Sequence, residues 1–283
     1  MWARACGRGQ DWGMNLHIHA REELFALDWR AHDITRALAD GRLRRIAKSF
    51  FAGPGAPEEA VAVVARGGRL GCLTGCRIHG VWTPDTPQPH VIIGRNQVRR
   101  PGRIEHKSRT ALPRSAVYLL EDCLAQVIRH HDPETALMVL ESAANLALVP
   151  PSVAWALIDG ATVHARRTLQ FFEPASQSGS ETRVRLWLQQ RNVPVQPQAH
   201  IPGLGFVDLL VGRSQILECD SDAHHRSGAQ QEEDRRRDLL ARELGYATER
   251  LSYAQIHHHW EPTSEVLARL LATRRHLRAP RPL

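Results

Sequence analysis

Acidic side chains sit at matching positions in two apolar runs that are close together in the sequence. Asp208 interrupts the run 206–211, and Glu218 and Asp220 follow the second run on one face of a strand. Ionised carboxylates rarely occupy buried strands without compensation. If residues 212–214 form a three-residue hairpin loop, Asp208 lies opposite Glu218 and the two charges repel each other. Mg²⁺ or Mn²⁺, hard cations with oxygen ligands, would remove that repulsion, so the pattern is typical of a metal-dependent phosphodiesterase site.

The elements that must position these side chains follow from the apolar periodicity around the hairpin. We predict helices at 181–191, 231–244 and 264–276 and a strand at 246–251. Gly245 ends the second of these helices. Helices alternating with strands predict an α/β core in which helices cover a mixed sheet.

A basic segment near the N-terminus has the order helix, helix, hairpin. The helices are predicted at 22–27 and 32–39, and a roughly alternating extended stretch follows at 42–51. Its basic side chains are Arg42, Arg44, Arg45 and Lys48. A winged helix-turn-helix has this order and brings such side chains to phosphates. The alternative is a small helical cap with a solvated basic edge strand.

The composition favours an anionic partner. The formal net charge is +7, and Lys48 and Lys107 are the only lysines, so arginine, which suits phosphate, dominates. Codon bias would give the same arginine content. Five cysteines without a Cys-x-x-Cys pair favour free thiols in a reducing compartment, and no apolar run is long enough to span a membrane. We expect a cytoplasmic protein that binds DNA, and a homodimer stays open.

Two other candidate metal motifs have simpler explanations. Cys72-x-x-x-Cys76-x-x-His79 could hold a metal, but its spacing also describes one buried helix face, which we favour. The histidine run 257–259 precedes Trp260-Glu261-Pro262, so we interpret it as a solvated loop.

Five short motifs in the C-terminal part form an ordered set. They are Ser178-Gly179-Ser180-Glu181, Phe206-Val207-Asp208-Leu209, Glu218-Cys219-Asp220-x-x-x-His224, Asp234-x-x-Arg237 and Leu244-Gly245-Tyr246. Over about residues 176–275 they resemble the very-short-patch-repair-like endonuclease family, part of the PD-(D/E)XK restriction-endonuclease-like superfamily. The segment 22–52 and Leu73-Thr74-Gly75-Cys76-x-x-His79-Gly80 resemble the AbiEi-type antitoxin winged-helix family.

The first resemblance implies a metal-dependent DNA endonuclease. Asp208 and Glu218 would be the principal metal ligands, and Asp220 would be a further ligand or would orient a water. The Mg²⁺ or Mn²⁺ ion would polarise the scissile phosphate and lower the pKa of a bound water.

The chain departs from that superfamily at its lysine position. Asp220 stands where the lysine is usual, two positions after the second acid, and no lysine follows Lys107. His224 or His225 would replace it, because imidazole titrates near neutral pH and can move a proton through water. Ser221 replaces the family's glycine after the acid-x-acid triplet.

Glu181 and Arg237 each have two interpretations. Glu181 would complete the acidic cluster, or it would form a Ser-x-x-Glu capping box with Ser178. Arg237 would neutralise a phosphate, or it would pair with Asp234 on its own helix turn.

We therefore predict an α/β chain, α+β overall, with an N-terminal winged helix-turn-helix and a C-terminal restriction-endonuclease-like mixed sheet flanked by helices. The predicted divisions are a leader (1–20), the winged helix (21–55), a middle α+β domain (56–165), a linker (166–180), the endonuclease-like domain (181–276) and a tail (277–283). The alternative to an endonuclease is a non-catalytic DNA-binding regulator, antitoxin-like, that keeps the nuclease fold as a scaffold. An RNA nuclease acting as a toxin is a third option.

Overall fold

Helices and small mixed sheets together make up the protein, in agreement with the predicted α/β class. A computed structural model describes residues 16–220 and 228–283, and in residues 220, 228–231 and 233–234 the backbone alone is described. Within these ranges the chain forms twelve α-helices and three sheets of three or four strands. No helix in the described ranges has both the length and the apolar character that crossing a membrane requires.

The N-terminal module packs two helices on a three-stranded antiparallel sheet. Its elements are β1 (Ile18–Ala20), α1 (Arg21–Ala26), α2 (Ala31–Ala39), β2 (Arg44–Ala47) and β3 (Phe50–Ala52), and the strand order is β1-β3-β2. Ile34 and Ala37 pack with Phe51 because the apolar spacing turns one face of α2 inward. Strand β1 pairs with β3, so the module includes residues 18–20, which were predicted to belong to a leader.

The middle region builds its main core from helices around a second small sheet. Its elements are α3 (Glu58–Ala65), β4 (Arg69–Leu70), α4 (Cys72–Ile78), β5 (His90–Ile93), β6 (Ile104–Lys107), α5 (Leu120–His130), α6 (Pro133–Asn145), α7 (Pro151–Asp159) and α8 (Val163–Leu169). The strand order is β4-β5-β6, and β5 and β6 are parallel. Asp132 starts α6 by accepting a hydrogen bond from Thr135 N at 2.8 Å.

The segment predicted as a linker, 166–180, packs tightly between α6 and the next helix, α9 (Gly179–Gln189). Phe172 joins the core of the middle region, and Ser176 accepts a hydrogen bond from Arg185 Nε at 3.1 Å. Arg185, which is fully buried, forms an ion pair with the buried Glu141 of α6. The serines of this segment therefore accept hydrogen bonds from buried donors. A serine-rich composition alone does not tell such buried serines from the solvated serines of a linker.

The C-terminal region is a four-stranded mixed sheet with helices against it. After α9 come β7 (Val195–Ile201), β8 (Gly205–Val211), β9 (Gln215–Asp220), α10 (Gly228–Glu243), β10 (Ala247–Ser252), α11 (Tyr253–His257), α12 (Trp260–Ala272) and a 3-10 turn (Arg275–Leu277). The strand order is β10-β9-β8-β7, with β10 parallel to β9 and the other pairs antiparallel.

Strand β7 is the element of this sheet that the sequence pattern did not predict. Pro197 lies inside it, and a proline without an N–H is tolerated where the strand is at an edge, as β7 is. The sequence 195–201 alternates polar residues with Val195, Pro197, Ala199 and Ile201, and the proline in the middle weakens this strand pattern. Pairing with β8, an apolar neighbour, makes it a strand.

Candidate functional site

The β8–β9 hairpin places Asp208 beside Glu218. Its loop has three residues, so Val211 pairs with Gln215 and Leu209 pairs with Leu217. The same register, extended by one residue, sets Asp208 opposite Glu218. Asp208 Oδ2 accepts a hydrogen bond from Cys219 N at 2.7 Å, and Asp208 N donates to Glu218 Oε2 at 3.4 Å. The register expected from a three-residue loop is therefore the register that the hairpin has.

Two arginines, Arg237 and Arg250, only partly offset the effects of burial and of Asp208 on the Glu218 carboxyl group. Its side chain is 14% exposed. Burial, and then the charge of Asp208, raise its pKa to about 7, against an ordinary value of 4.5. The nearest cation is Arg237 of α10, whose Nη2 lies 3.7 Å from Glu218 Oε1. This arginine moderates the repulsion, since it lowers the pKa of Glu218, but it does not cancel it.

Arg237 thus has a partner that neither interpretation of the sequence included. Besides Glu218, its Nη2 donates a hydrogen bond to Phe206 O at 2.7 Å. The guanidinium group therefore joins α10 to the two strands of the hairpin. The side chain of Asp234, the other predicted partner, lies outside the described atoms.

Glu181 approaches the same acids from the first turn of α9. It is 4% exposed, and burial and the charge of Asp208 raise its pKa to about 7. Ser178 Oγ caps the helix by accepting from Glu181 N at 2.9 Å. The Glu181 carboxylate accepts from Gln177 N and from Gln198 Nε2, each at 3.0 Å. Ser178 therefore acts as a helix cap, and the Glu181 carboxylate belongs electrostatically to the acidic cluster.

Gln198 is a residue of this site that sequence reasoning missed. It lies in β7 between Pro197 and Ala199, which pair with Leu209 and Val207, so it stands across from Asp208. Its φ of 47° is in the left-handed region, where a non-glycine residue is uncommon and is held by its surroundings. Because β7 was not predicted, the alternation of apolar and polar residues in 195–201 is the sequence signal that could have placed Gln198 on a strand.

Three predicted site residues fall partly or wholly outside the described structure. Asp220 ends β9, where its backbone pairs in register with Ser252 of β10, and its side chain is not described. His224 and His225 lie in residues 221–227, outside the described ranges.

The histidine run was interpreted wrongly at its first residue. His257 Nε2 lies 3.1 Å from Ser180 Oγ, and its ring contacts Trp82 and Tyr253. Burial lowers its pKa to about 4. The reason is that α11 continues to His257 and packs against α9, while His258 and His259 are exposed as predicted.

The basic residues of the N-terminal hairpin already contact other side chains of the protein. Arg42 pairs with Asp40 at 3.2 Å, and Arg44 forms an ion pair with Glu58 of α3. The guanidinium group of Arg45 lies 5.6 Å from the centre of the Phe51 ring. All of these arginines, and Lys48, remain exposed to solvent. They are available to an anionic partner, which would compete with these weak surface pairs.

A second group of side chains, in the middle region, could hold a metal ion. One ligand atom from each of Cys72, His90, His106 and His131 lies within 4.8 Å of the others. Within the described part of the chain, this is the one group of three or more His, Cys, Asp or Glu residues that approach so closely. The closest potential metal ligands are therefore histidine and cysteine, whereas the predicted metal site consisted of carboxylates.

The predicted Cys72–Cys76–His79 motif separates into different roles. Cys76 is buried next to Cys123, and His79 Nε2 lies 2.8 Å from Tyr118 O. Cys72 turns instead toward the histidines. The helix face is buried as predicted, but the sequence did not indicate the three histidines, which come from separate elements.

No family model and no curated protein matches this chain. The resemblance to endonuclease and antitoxin families therefore stays a prediction, and the function has to be argued from the site.

Proposed function

We propose that the C-terminal region is a Mg²⁺- or Mn²⁺-dependent DNA endonuclease. The observation that carries this proposal is the placement of Asp208 opposite Glu218. The buried Glu181 is close enough for the charge of Asp208 to contribute to its raised pKa. Carboxyl groups whose pKa is raised by a neighbouring carboxylate are stabilised by a proton or by a cation. A divalent cation with oxygen ligands would displace the proton and relieve the repulsion.

The residues divide into ligands and positioning groups in this proposal. Asp208 and Glu218 would hold the ion, which when bound supplies Lewis-acid polarisation of the phosphate and an acidified water. Gln198 and the backbone of Gln177 orient the Glu181 carboxylate through hydrogen bonds of 3.0 Å. Asp208, Glu218 and Glu181 do not lie close enough together to serve as three ligands of one ion, so Glu181 would instead accept a hydrogen bond from a water beside the ion.

Three further residues would act on the phosphate in this mechanism. Arg237 would exchange part of its contact with Glu218 for the substrate phosphate, for which a guanidinium group is well suited. Asp220 would be a further ligand or orient a water, and His224 would move the proton, as the family resemblance implies. These two roles are assigned from the sequence.

The architecture that we propose around the site is a winged helix followed by a restriction-endonuclease-like domain. The sequence of elements β1, α1, α2, β2 and β3 supports the first, because two helices precede a hairpin with basic residues. A mixed four-stranded sheet with acids at adjacent strands supports the second. DNA is the proposed substrate because the net charge is +7 and the hairpin arginines are exposed.

A second candidate function is DNA binding without cleavage. The observation that favours it is the ion pair between Arg237 and Glu218, which already supplies one positive charge to the cluster. A regulator that retains such a scaffold would need no metal and would bind DNA equally with and without Mg²⁺.

Cleavage of supercoiled plasmid separates the two functions. The full chain is incubated with Mg²⁺, Mn²⁺ or EDTA, beside Asp208→Ala, Glu218→Ala and the control Glu265→Ala, an exposed acid on α12. The endonuclease predicts nicking that needs metal, is lost in both site variants and persists in the control. Absence of cleavage, with DNA retardation unchanged by the site variants, would favour the regulator. Absence of both cleavage and retardation would contradict DNA as the partner.

A further inference from the structure

Four elements of the middle region converge on the Cys72–His90–His106–His131 cluster. His90 and His106 lie on the adjacent parallel strands β5 and β6, His131 follows α5, and Cys72 begins α4. These positions are far apart in the sequence, yet their ligand atoms lie within 4.8 Å of one another. Such convergence of imidazole and thiol groups is the ligand chemistry of a transition-metal site.

Two ring nitrogens of the cluster lack the hydrogen bonds that buried polar atoms normally make. His90 is 1% exposed, and its Nε2 has no hydrogen-bond partner among the described residues. The buried Nε2 of His131 also has no hydrogen-bond partner among the described residues. Buried polar atoms are nearly always satisfied by protein or solvent. His90 can offer an ion only one of its two nitrogens, and its Nδ1 is the one that lies beside His106, so Nε2 of His131 is the orphaned atom that calls for a partner. A metal ion would accept the lone pair of His131 Nε2.

The spacing of the ligand atoms suits a tetrahedral ion. Zinc–nitrogen bonds of about 2.0–2.1 Å imply neighbouring nitrogens about 3.3 Å apart. His90 Nδ1 and His106 Nε2 are 3.1 Å apart. The full cluster is wider than an ideal tetrahedron, so side-chain movements of about 1 Å would bring all four ligands to bonding distance.

The backbone also holds Cys72 in a demanding position. Its φ is 51°, in the left-handed region that non-glycine residues rarely adopt. Gln126 Oε1 accepts a hydrogen bond from Cys72 N at 2.8 Å. An uncommon conformation that is held in this way is a reason to look for a function of the side chain.

We propose that Cys72, His90, His106 and His131 bind one Zn²⁺ ion as a structural site that ties the β5–β6 strands to α4 and α5. Three imidazoles and one thiolate form a set of nitrogen and sulfur ligands that zinc accepts in tetrahedral geometry, and four protein ligands leave no open position for substrate. On binding, the Cys72 thiol loses its proton to solvent and the histidines coordinate in their neutral form. His130, which is exposed, stacks on His106 with ring centres 4.1 Å apart.

Cys72 is the ligand on which this site depends most. The positive charges of Arg77 and Arg99 act electrostatically on His90 and His106. The Cys72 thiolate is the one anionic ligand that would offset these positive charges. Cys72→Ser would remove this negative charge. Cys76→Ser, one turn later and also at a buried position, would leave all four ligands in place.

Metal content and cobalt substitution test the site in the full-length protein. The metal content of the purified chain is measured by mass spectrometry, and the chelator-treated chain is then titrated with Co²⁺. We expect one equivalent of zinc, and a thiolate-to-cobalt charge-transfer band with the visible absorption of tetrahedral Co²⁺. Cys72→Ser should abolish the band, and Cys76→Ser and Asp208→Ala should retain it, which separates this site from the carboxylates.

Each outcome of this experiment supports or overturns the proposal. A folded wild-type chain that carries no stoichiometric metal and gives no cobalt band would show that the cluster is a metal-free polar core. A band that survives in Cys72→Ser would also overturn the ligand assignment. If Cys72→Ser does not fold, His131→Gln replaces it, because this half-buried ligand follows the end of α5; loss of tight cobalt binding is then the expected result.

Discussion

Substitution of Asp208 by asparagine should stabilise the metal-free protein at alkaline pH. Asparagine keeps an oxygen that can accept the 2.7 Å hydrogen bond from Cys219 N but removes the negative charge. Burial, and then that charge, raise the pKa of both Glu218 and Glu181, each to about 7 from an ordinary 4.5. Without it, both carboxyl groups should ionise more easily in the folded state.

The size of the effect follows from these pKa values. A tenfold change in proton affinity corresponds to about 1.4 kcal/mol, so ionising either carboxyl group costs the folded protein about 3 kcal/mol more than the unfolded chain. Burial is the larger cause for both groups and Asp208 the second. We therefore assign about 1 kcal/mol per group to Asp208, and expect a gain of about 2 kcal/mol in the free energy of unfolding.

The gain should depend on pH in a defined direction. A carboxyl group with a raised pKa binds its proton more tightly in the folded state, so its contribution to stability is fully present below pH 4.5 and is lost as the pH rises through 7. The Asp208→Asn variant should exceed the wild type by about 2 kcal/mol at about pH 8 and by little at about pH 5.

Urea unfolding in EDTA, followed by circular dichroism at both pH values, measures this difference. Glu265→Gln, which removes an exposed charge on α12, is the matched control and should change stability little at either pH. A titration of the glutamate carboxyl groups by NMR should also show Glu218 moving toward its ordinary pKa in Asp208→Asn. Equal destabilisation of Asp208→Asn at both pH values would refute the electrostatic coupling.

Two further predictions concern the core and the DNA contact. Glu141→Ala should lower the free energy of unfolding by about 3–5 kcal/mol because it leaves the fully buried Arg185 without its carboxylate. Glu134→Ala, which removes the half-exposed partner of Arg183, should cost less than about 1 kcal/mol in the same urea experiment. Equal losses of stability in the two variants would contradict this reasoning. Lys48→Gln should weaken DNA retardation and reduce the slope of log affinity against log salt concentration by about 1. Lys107→Gln, which changes an exposed lysine at the end of β6, should do neither. An equal effect of both variants would exclude the N-terminal hairpin as a specific contact.

Local patterns predicted most of the elements on which the site is built. Helix α2, the β8–β9 hairpin and strand β10 all occur within a few residues of their predicted positions. They could be predicted because apolar periodicity and turn residues act over short distances. Strand β7 was missed because its pairing with β8, and not its own propensity, makes it a strand.

The site residues also divide into those that short-range patterns predicted and those whose contacts depend on tertiary packing. The opposition of Asp208 and Glu218 could be read from the sequence, since the length of a hairpin loop sets the register of its strands. The contact of Arg237 with Glu218 and the burial of His257 against α9 depend on how helices pack on the sheet. Sequence spacing contains little information about either contact.

The clearest contrast is between the two acids and the Cys/His cluster. Asp208 and Glu218 are ten residues apart on one hairpin, so chain connectivity alone brings them together. Cys72, His90, His106 and His131 come from four elements, and nothing in their spacing predicts that they meet. They converge because β5 and β6 pair in parallel and α4 and α5 pack against each other, which is a consequence of burying one shared core.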